Sequence, residues 1–160
     1  MIGPAAYLGL VGVGSLLLLA RDGSRTFPTA ALVCPGCVAD LAAQMPAVEE
    51  AFILAAWDLA GNSIGYEPVG SHLDFLDHQV KCQDCLLPGE VLARGLANCV
   101  GHSVLLASLL RTRLPPDRVF VAVGDIALDG IGGHAWVMGA RQGEWDILEA
   151  TRGPRLYPWL

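Results

Sequence analysis

Asn98-Cys99-Val100-Gly101-His102-Ser103-Val104-Leu105-Leu106-Ala107-Ser108-Leu109-Leu110-Arg111-Thr112 is the stretch whose reading decides the fold. Asn98 suits a helix N-cap, because its short side-chain oxygen can accept from a backbone N–H that the first turn leaves unpaired. The run from Val104 to Leu110 is apolar on most helical faces, so the helix is expected to be central and buried. Pro115 and Pro116 end it. Cys99 therefore falls in the first turn. There the helix dipole and the free N–H groups favour a thiolate, the nucleophilic form of the side chain. The same N–H groups can hold an oxyanion. The competing reading of Cys99 is a small buried core residue, since free cysteine is commonly buried. His102, one turn later, lies alongside the thiol rather than over it and reads as a core or rim histidine.

Working outward toward the C-terminus, Arg118 to Gly124 is rich in β-formers. Gly133 to Gly139 and Glu144 to Ala150 alternate as two strands of a hairpin. If Ala140 faces Gly143 across the turn, or Gly139 faces Glu144, counting back sets His134 directly opposite Glu149. Their Cβ atoms would then be about 5 Å apart on one face. That separation suits a carboxylate holding an imidazole in one tautomer. Asp146 is an odd number of residues from Glu149 and points to the other face. A bulge at Gly143 would slip the register by one and turn every side chain over.

Working toward the N-terminus, Pro88 opens a helical turn through Arg94 that Gly95 closes. Ser71 is placed to cap a short helix reaching Val80, and residues Gly61 to Gly70 read as loop. Val48, Phe52, Ala55, Ala56 and Leu59 recur at helical spacing after Pro46, and Gly61 stops that helix. Residues 22–30 read as a linker. Ile2 to Ala20 carry no charged side chain, and as a helix they would extend about 28 Å, near the thickness of a bilayer core. A membrane helix or anchor, a secretory signal and a partner-facing helix all fit this segment. Arg21 and Arg25 follow it and nothing basic precedes it. That bias points to a membrane-associated chain with its domain cytoplasmic, the alternative being export. The organisation expected is an apolar helix over 1–21, the linker over 22–30 and one domain over 31–160.

Length and charge bound the rest. The 160 residues suit one domain with a real core. The chain is 53% hydrophobic, only 16% charged, and carries a net charge of −6. With no basic cluster to attract a phosphate backbone, nucleic acid is excluded as a partner.

Five cysteines form two pairs and a singleton, Cys99. Cys34-Pro35-Gly36-Cys37 and Cys82-Gln83-Asp84-Cys85 are two C-x-x-C units. Two such turns can complete a tetrahedral thiolate site, with zinc the first expectation and iron the second. Disulfides are the alternative, favoured if the domain is exported. A metal held by Cys34, Cys37, Cys82 and Cys85 would be structural, since four thiolates leave no open position. His72 and His78 are spare ligand candidates that read more simply as solvated residues.

Three ordered blocks carry a family resemblance. Residues 98–111 resemble the nucleophile helix of transglutaminase-like proteins. Gly133-His134-Ala135-Trp136-Val137 resembles their histidine strand. Gly143-Glu144-Trp145-Asp146-Ile147-Leu148-Glu149-Ala150-Thr151 resembles their third block, with Glu149-Ala150-Thr151 where Asp-Pro-Thr is usual. Residues Pro88 to Gly95 are similar to the segment that often precedes the cysteine. The resemblance spans Lys81 to Gly153. It implies an α+β, papain-like fold, with the nucleophile helix packed on a small antiparallel sheet. It also implies a thiol enzyme in which Cys99 attacks an amide or ester carbonyl, His134 is the base and Glu149 the acid member. The substrate would be a peptide or protein, no cofactor is needed for catalysis, and the acyl group passes to water or to an amine. Gln79 and Gln83 are candidates for the second oxyanion donor. The competing expectation is a catalytically silent fold serving as an assembly subunit, docked to a membrane or partner through residues 2–20.

Overall fold

Why the chain folds around residues 99–110 is visible in what that helix buries. In the computed structural model, which describes residues 24–67, 72–76, 79–83, 85–124, 134–141, 143–151 and 155–157, it is the axis on which everything else packs. In chain order the elements are β1 (Ser24–Pro28), α1 (Thr29–Leu32), a 3-10 turn (Pro35–Val38), α2 (Ala39–Ala43), α3 (Glu49–Asn62), β2 (Gly65–Tyr66), β3 (His72–Leu76), β4 (Gln79–Gln83), α4 (Pro88–Arg94), β5 (Leu96–Ala97) and α5 (Cys99–Leu110). A second 3-10 turn (Pro116–Arg118) leads to β6 (Val119–Gly124), β7 (His134–Arg141), β8 (Glu144–Glu149) and β9 (Arg155–Tyr157).

Every residue of α5 from Val100 to Leu110 is buried. Leu105, Leu106, Leu109 and Leu110 are fully covered, each worth about 1.5–3 kcal/mol relative to exposure. One side of α5 meets α3, whose Phe52, Ile53, Ala56, Trp57 and Ala60 recur at three- and four-residue spacing in the same cluster. The other side meets the sheet β6-β7-β8-β9, antiparallel throughout. Val119, Val137 and Leu148 supply its inward face. Phe120 and Trp145 stay exposed on its outward face, as strand alternation requires. The result is the expected α+β arrangement.

The end of α5 is fastened by arginines. Arg111 donates twice to the Val119 carbonyl, at 2.9 Å and 2.6 Å, tying helix to sheet. Arg113 donates to the carbonyls of Ala42, Pro46 and Met45, and its guanidinium lies 4.2 Å from the centroid of the Phe52 ring. Both satisfy carbonyls that short elements leave open. At the start of α5 a close approach is needed. A Cβ on Gly101 would stand 2.7 Å from Ala97 Cβ and 3.3 Å from Val91 Cγ2, so glycine lets α4 and β5 lie against the first turn.

Two expectations are corrected. Residues 22–30 are not all linker: Ser24–Pro28 form β1, paired antiparallel with β4. The helix expected from Ser71 to Val80 is replaced by β3 and β4, which pair with each other and with β1 in a three-stranded sheet. The apolar segment 2–20, expected as a helix, lies outside the described residues. Among the described residues no helix is long and apolar enough to cross a membrane.

Candidate active site

Cys99 opens α5. Asn98 caps the helix from an extended backbone, its Oδ1 accepting from the Gly101 N–H at 3.1 Å. That arrangement places the thiol where the dipole is positive, beside the Val100 N–H that helps hold it acidic. β7 crosses α5 so that its first residue, His134, and the N–H of Ala135 also hydrogen-bond with Cys99. Cys99 is the one free cysteine found among the described residues.

His134 Nε2 meets Glu149 Oε2 at 2.6 Å, which leaves Nδ1 as the ring nitrogen available to the sulfur. Glu149 is buried. Its other oxygen accepts from the Thr151 N–H at 2.7 Å and the Thr151 hydroxyl at 2.5 Å. Its backbone carbonyl accepts from Trp57 Nε1 at 2.8 Å. The carboxylate is thus held on both oxygens and its main chain is pinned from α3.

The register behind this contact differs from the one expected. Arg141, not Gly139, faces Glu144, and Val137 faces Leu148. The chain reverses between Arg141 and Glu144, helped by Gly143 at φ +89°, a backbone conformation that side chains disfavour. Continuing the ladder, Glu149 falls opposite Trp136 and Thr151 opposite His134. The slide is by two residues, so His134 and Glu149 keep a common face but meet on the diagonal. The diagonal is longer than the direct rung, and the extra methylene of glutamate spans it.

The charges follow from these contacts. Burial pushes the Cys99 thiol up. Hydrogen bonds from His134, Ala135 N–H and Val100 N–H, with the imidazolium charge, outweigh burial and hold it below the ordinary 9.0. The bond to Cys99, then that to Glu149, raise His134 from 6.5 to about 9 against burial. Burial likewise pushes Glu149 up, and His134 together with Thr151 brings it below 4.5. The site therefore holds a thiol more acidic than an ordinary cysteine beside an imidazole that keeps its proton up to about pH 9 and is braced by a carboxylate.

His102 is fully buried, its Nδ1–H donating to the Ala60 carbonyl at 2.7 Å, and so links α5 to α3 as a core residue. Cys34 and Cys37 are bonded to each other, and Cys85 is also disulfide-bonded. Three of the four sulfurs expected to hold zinc or iron are therefore bonded in this form. The side chains of Cys82, Gln79, Gln83 and His72, and residue His78, lie outside what is described. No group of three or more metal-binding side chains occurs among the described residues. Sequence reasoning missed the roles of Trp57 and Thr151. Thr151 stood in the third block without a role. Nothing local marks Trp57, which reaches Glu149 only through the packing of α3.

No protein-family profile matches the chain, and no curated protein does. Among solved structures it is similar to a protein from Cytophaga hutchinsonii provisionally assigned as a cysteine protease, with a TM-score of 0.54 at 18% identity. The match covers 80% of this chain and 41% of that one, so the chain spans about two-fifths of the neighbour's length. At that identity the likeness is one of architecture: the chain has a mixed α+β fold similar to that of this neighbour.

Proposed function

We propose that the chain is a thiol-dependent acyl-transfer enzyme acting on peptide or amide carbonyls through a Cys99 thioester. The observation that carries this reading is the continuous path from Cys99 through His134 to Glu149 at the start of a buried helix. His134 accepts the thiol proton and Cys99 sulfur attacks the carbonyl carbon. The N–H groups of Val100 and Ala135, which help hold the thiol acidic, are the nearest candidates for donors to the negative charge that develops on the carbonyl oxygen. As the tetrahedral intermediate collapses, His134 returns the proton to the departing amine and the thioester remains. Water, activated by His134, then releases the acid and restores the thiol. Glu149 keeps the imidazole in one tautomer and stabilises its charged form throughout. Water as acceptor gives a protease or amidase. An amine in its place gives transamidation, and added amine separates the two in product analysis.

The test is alkylation of Cys99 by iodoacetamide across pH 5 to 10, with His134→Ala alongside. The expected result is fast reaction near neutral pH that the variant slows by at least about ten-fold, the loss of a proton acceptor held in place. Cys99 reacting at the rate and pH of an ordinary thiol, unaffected by His134→Ala, defeats the proposal. It would favour a silent scaffold instead.

A further inference from the structure

We propose that Trp136 is a positioning residue for His134, setting the plane of the imidazole that serves Cys99. The inference rests on the thiol-enzyme reading and deepens it. The indole is no part of the Cys99–His134–Glu149 path, yet three observations place it against that path. It lies two residues from His134 on β7, and so on the same face. The two rings are stacked, with an interplanar angle of 20° and centroids 6.2 Å apart, within the range of offset aromatic pairs. Its Nε1–H donates to Met138 sulfur at 3.3 Å, which fixes which way the indole lies.

The fourth observation comes from the neighbouring strand. Gly124 on β6 is the residue paired with His134. A Cβ there would stand 3.1 Å from Trp136 Cη2 and 3.7 Å from Cζ3. Glycine leaves the indole its room across β6 beside the histidine, where a Cβ would press the ring aside by a few tenths of an ångström. The chain thus gives up a side chain on a strand, where glycine is disfavoured, at the position that makes room for this stack.

A histidine needs such help here. Its second side-chain torsion is broad and nearly two-fold. Hydrogen bonds to Glu149 and Cys99 hold its two nitrogens, but hydrogen bonds bend and so tolerate tilting of the ring plane. A flat neighbour parallel to the ring removes the remaining freedom, so that Nδ1 stays directed at the sulfur. Among the described residues, the titratable groups facing His134 are Cys99 from α5 and Glu149 from β8.

The experiment is the pH profile of Cys99 alkylation by iodoacetamide in the full chain, for wild type, Trp136→Ala, Trp136→Phe and Gly124→Val. Trp136→Ala should lower the rate at neutral pH by about ten-fold, the upper end of what one stacked pair supplies. Its lower limb should move up toward that of an ordinary thiol. Trp136→Phe should restore the profile, because a flat ring returns. Gly124→Val should behave like the alanine variant by displacing the indole, while its valine suits a strand and keeps the fold testable if Trp136→Ala does not fold. A wild-type profile in Trp136→Ala or in Gly124→Val overturns the proposal and leaves the enzyme reading standing. An unperturbed thiol in the wild type removes the enzyme reading and this proposal with it.

Discussion

Glu149→Asp is the most informative single change, because it tests the diagonal register and the chemistry together. The contact between His134 Nε2 and Glu149 Oε2 is 2.6 Å. A C–C bond is about 1.5 Å, so removing one methylene draws the carboxylate back by about an ångström. That stretches the contact beyond about 3.5 Å, where a hydrogen bond is lost. The strands cannot close the gap, because Val137–Leu148 and Gly139–Asp146 are locked in the ladder and the Glu149 carbonyl is held by Trp57. Hydrogen bonds to charged groups are worth about 1.5–3 kcal/mol, which corresponds to a slowing of about 10- to 150-fold in Cys99 reactivity at neutral pH. Glu149→Gln has the opposite design: the reach is kept and the charge removed. His134 is raised to about 9 in part by Glu149. A raised imidazole is charged below that value and loses its proton as pH climbs through it. Glu149→Gln should therefore move the upper limb of the alkylation profile to lower pH, with a smaller loss at neutral pH than Glu149→Asp. The assay is iodoacetamide alkylation followed by intact mass. Glu149→Asp reacting within about two-fold of wild type across the profile, well inside one hydrogen bond's worth, would refute the diagonal-reach reasoning.

Three stability predictions use the same packing. Gly101→Ala sets a methyl 2.7 Å from Ala97 Cβ and should cost about 1–3 kcal/mol as an overpacked contact, read as a lowered urea midpoint with unchanged slope. Trp57→Phe keeps the ring but leaves the buried Glu149 carbonyl without its 2.8 Å donor. It should cost about 1–3 kcal/mol in chemical denaturation and also slow Cys99 alkylation, because the acid's main chain loosens. Ser108→Ala removes the oxygen that accepts from the Cys34 N–H at 3.0 Å. It should lower stability by about 1–3 kcal/mol, and hydrogen exchange should show the Cys34–Cys37 turn opening first.

What could be read from the sequence was what local chemistry determines. The Asn98 cap, the apolar run of α5 and the Pro88–Gly95 turn are decided within a few residues, and they stand where expected. The β1-β4-β3 sheet was not legible. Its central strand pairs with Ser24–Pro28, more than fifty positions away, and a short run such as His72–Leu76 fits helix or strand equally well. The two C-x-x-C units were ambiguous for a different reason: the spacing that suits a thiolate turn also suits a disulfide, and oxidation state is not written in residue order. The hairpin register lies between these cases. Alternation fixed the face correctly, but the rung depended on the conformation around Gly143. The even slide preserved the face and changed the distance. Two oddities then explain each other. The third block carries glutamate, the longer of the two acids, and the strands pair so that the acid must reach across a diagonal. In this chain a directly opposed aspartate is never on offer, and the longer carboxylate is the one whose length meets the imidazole.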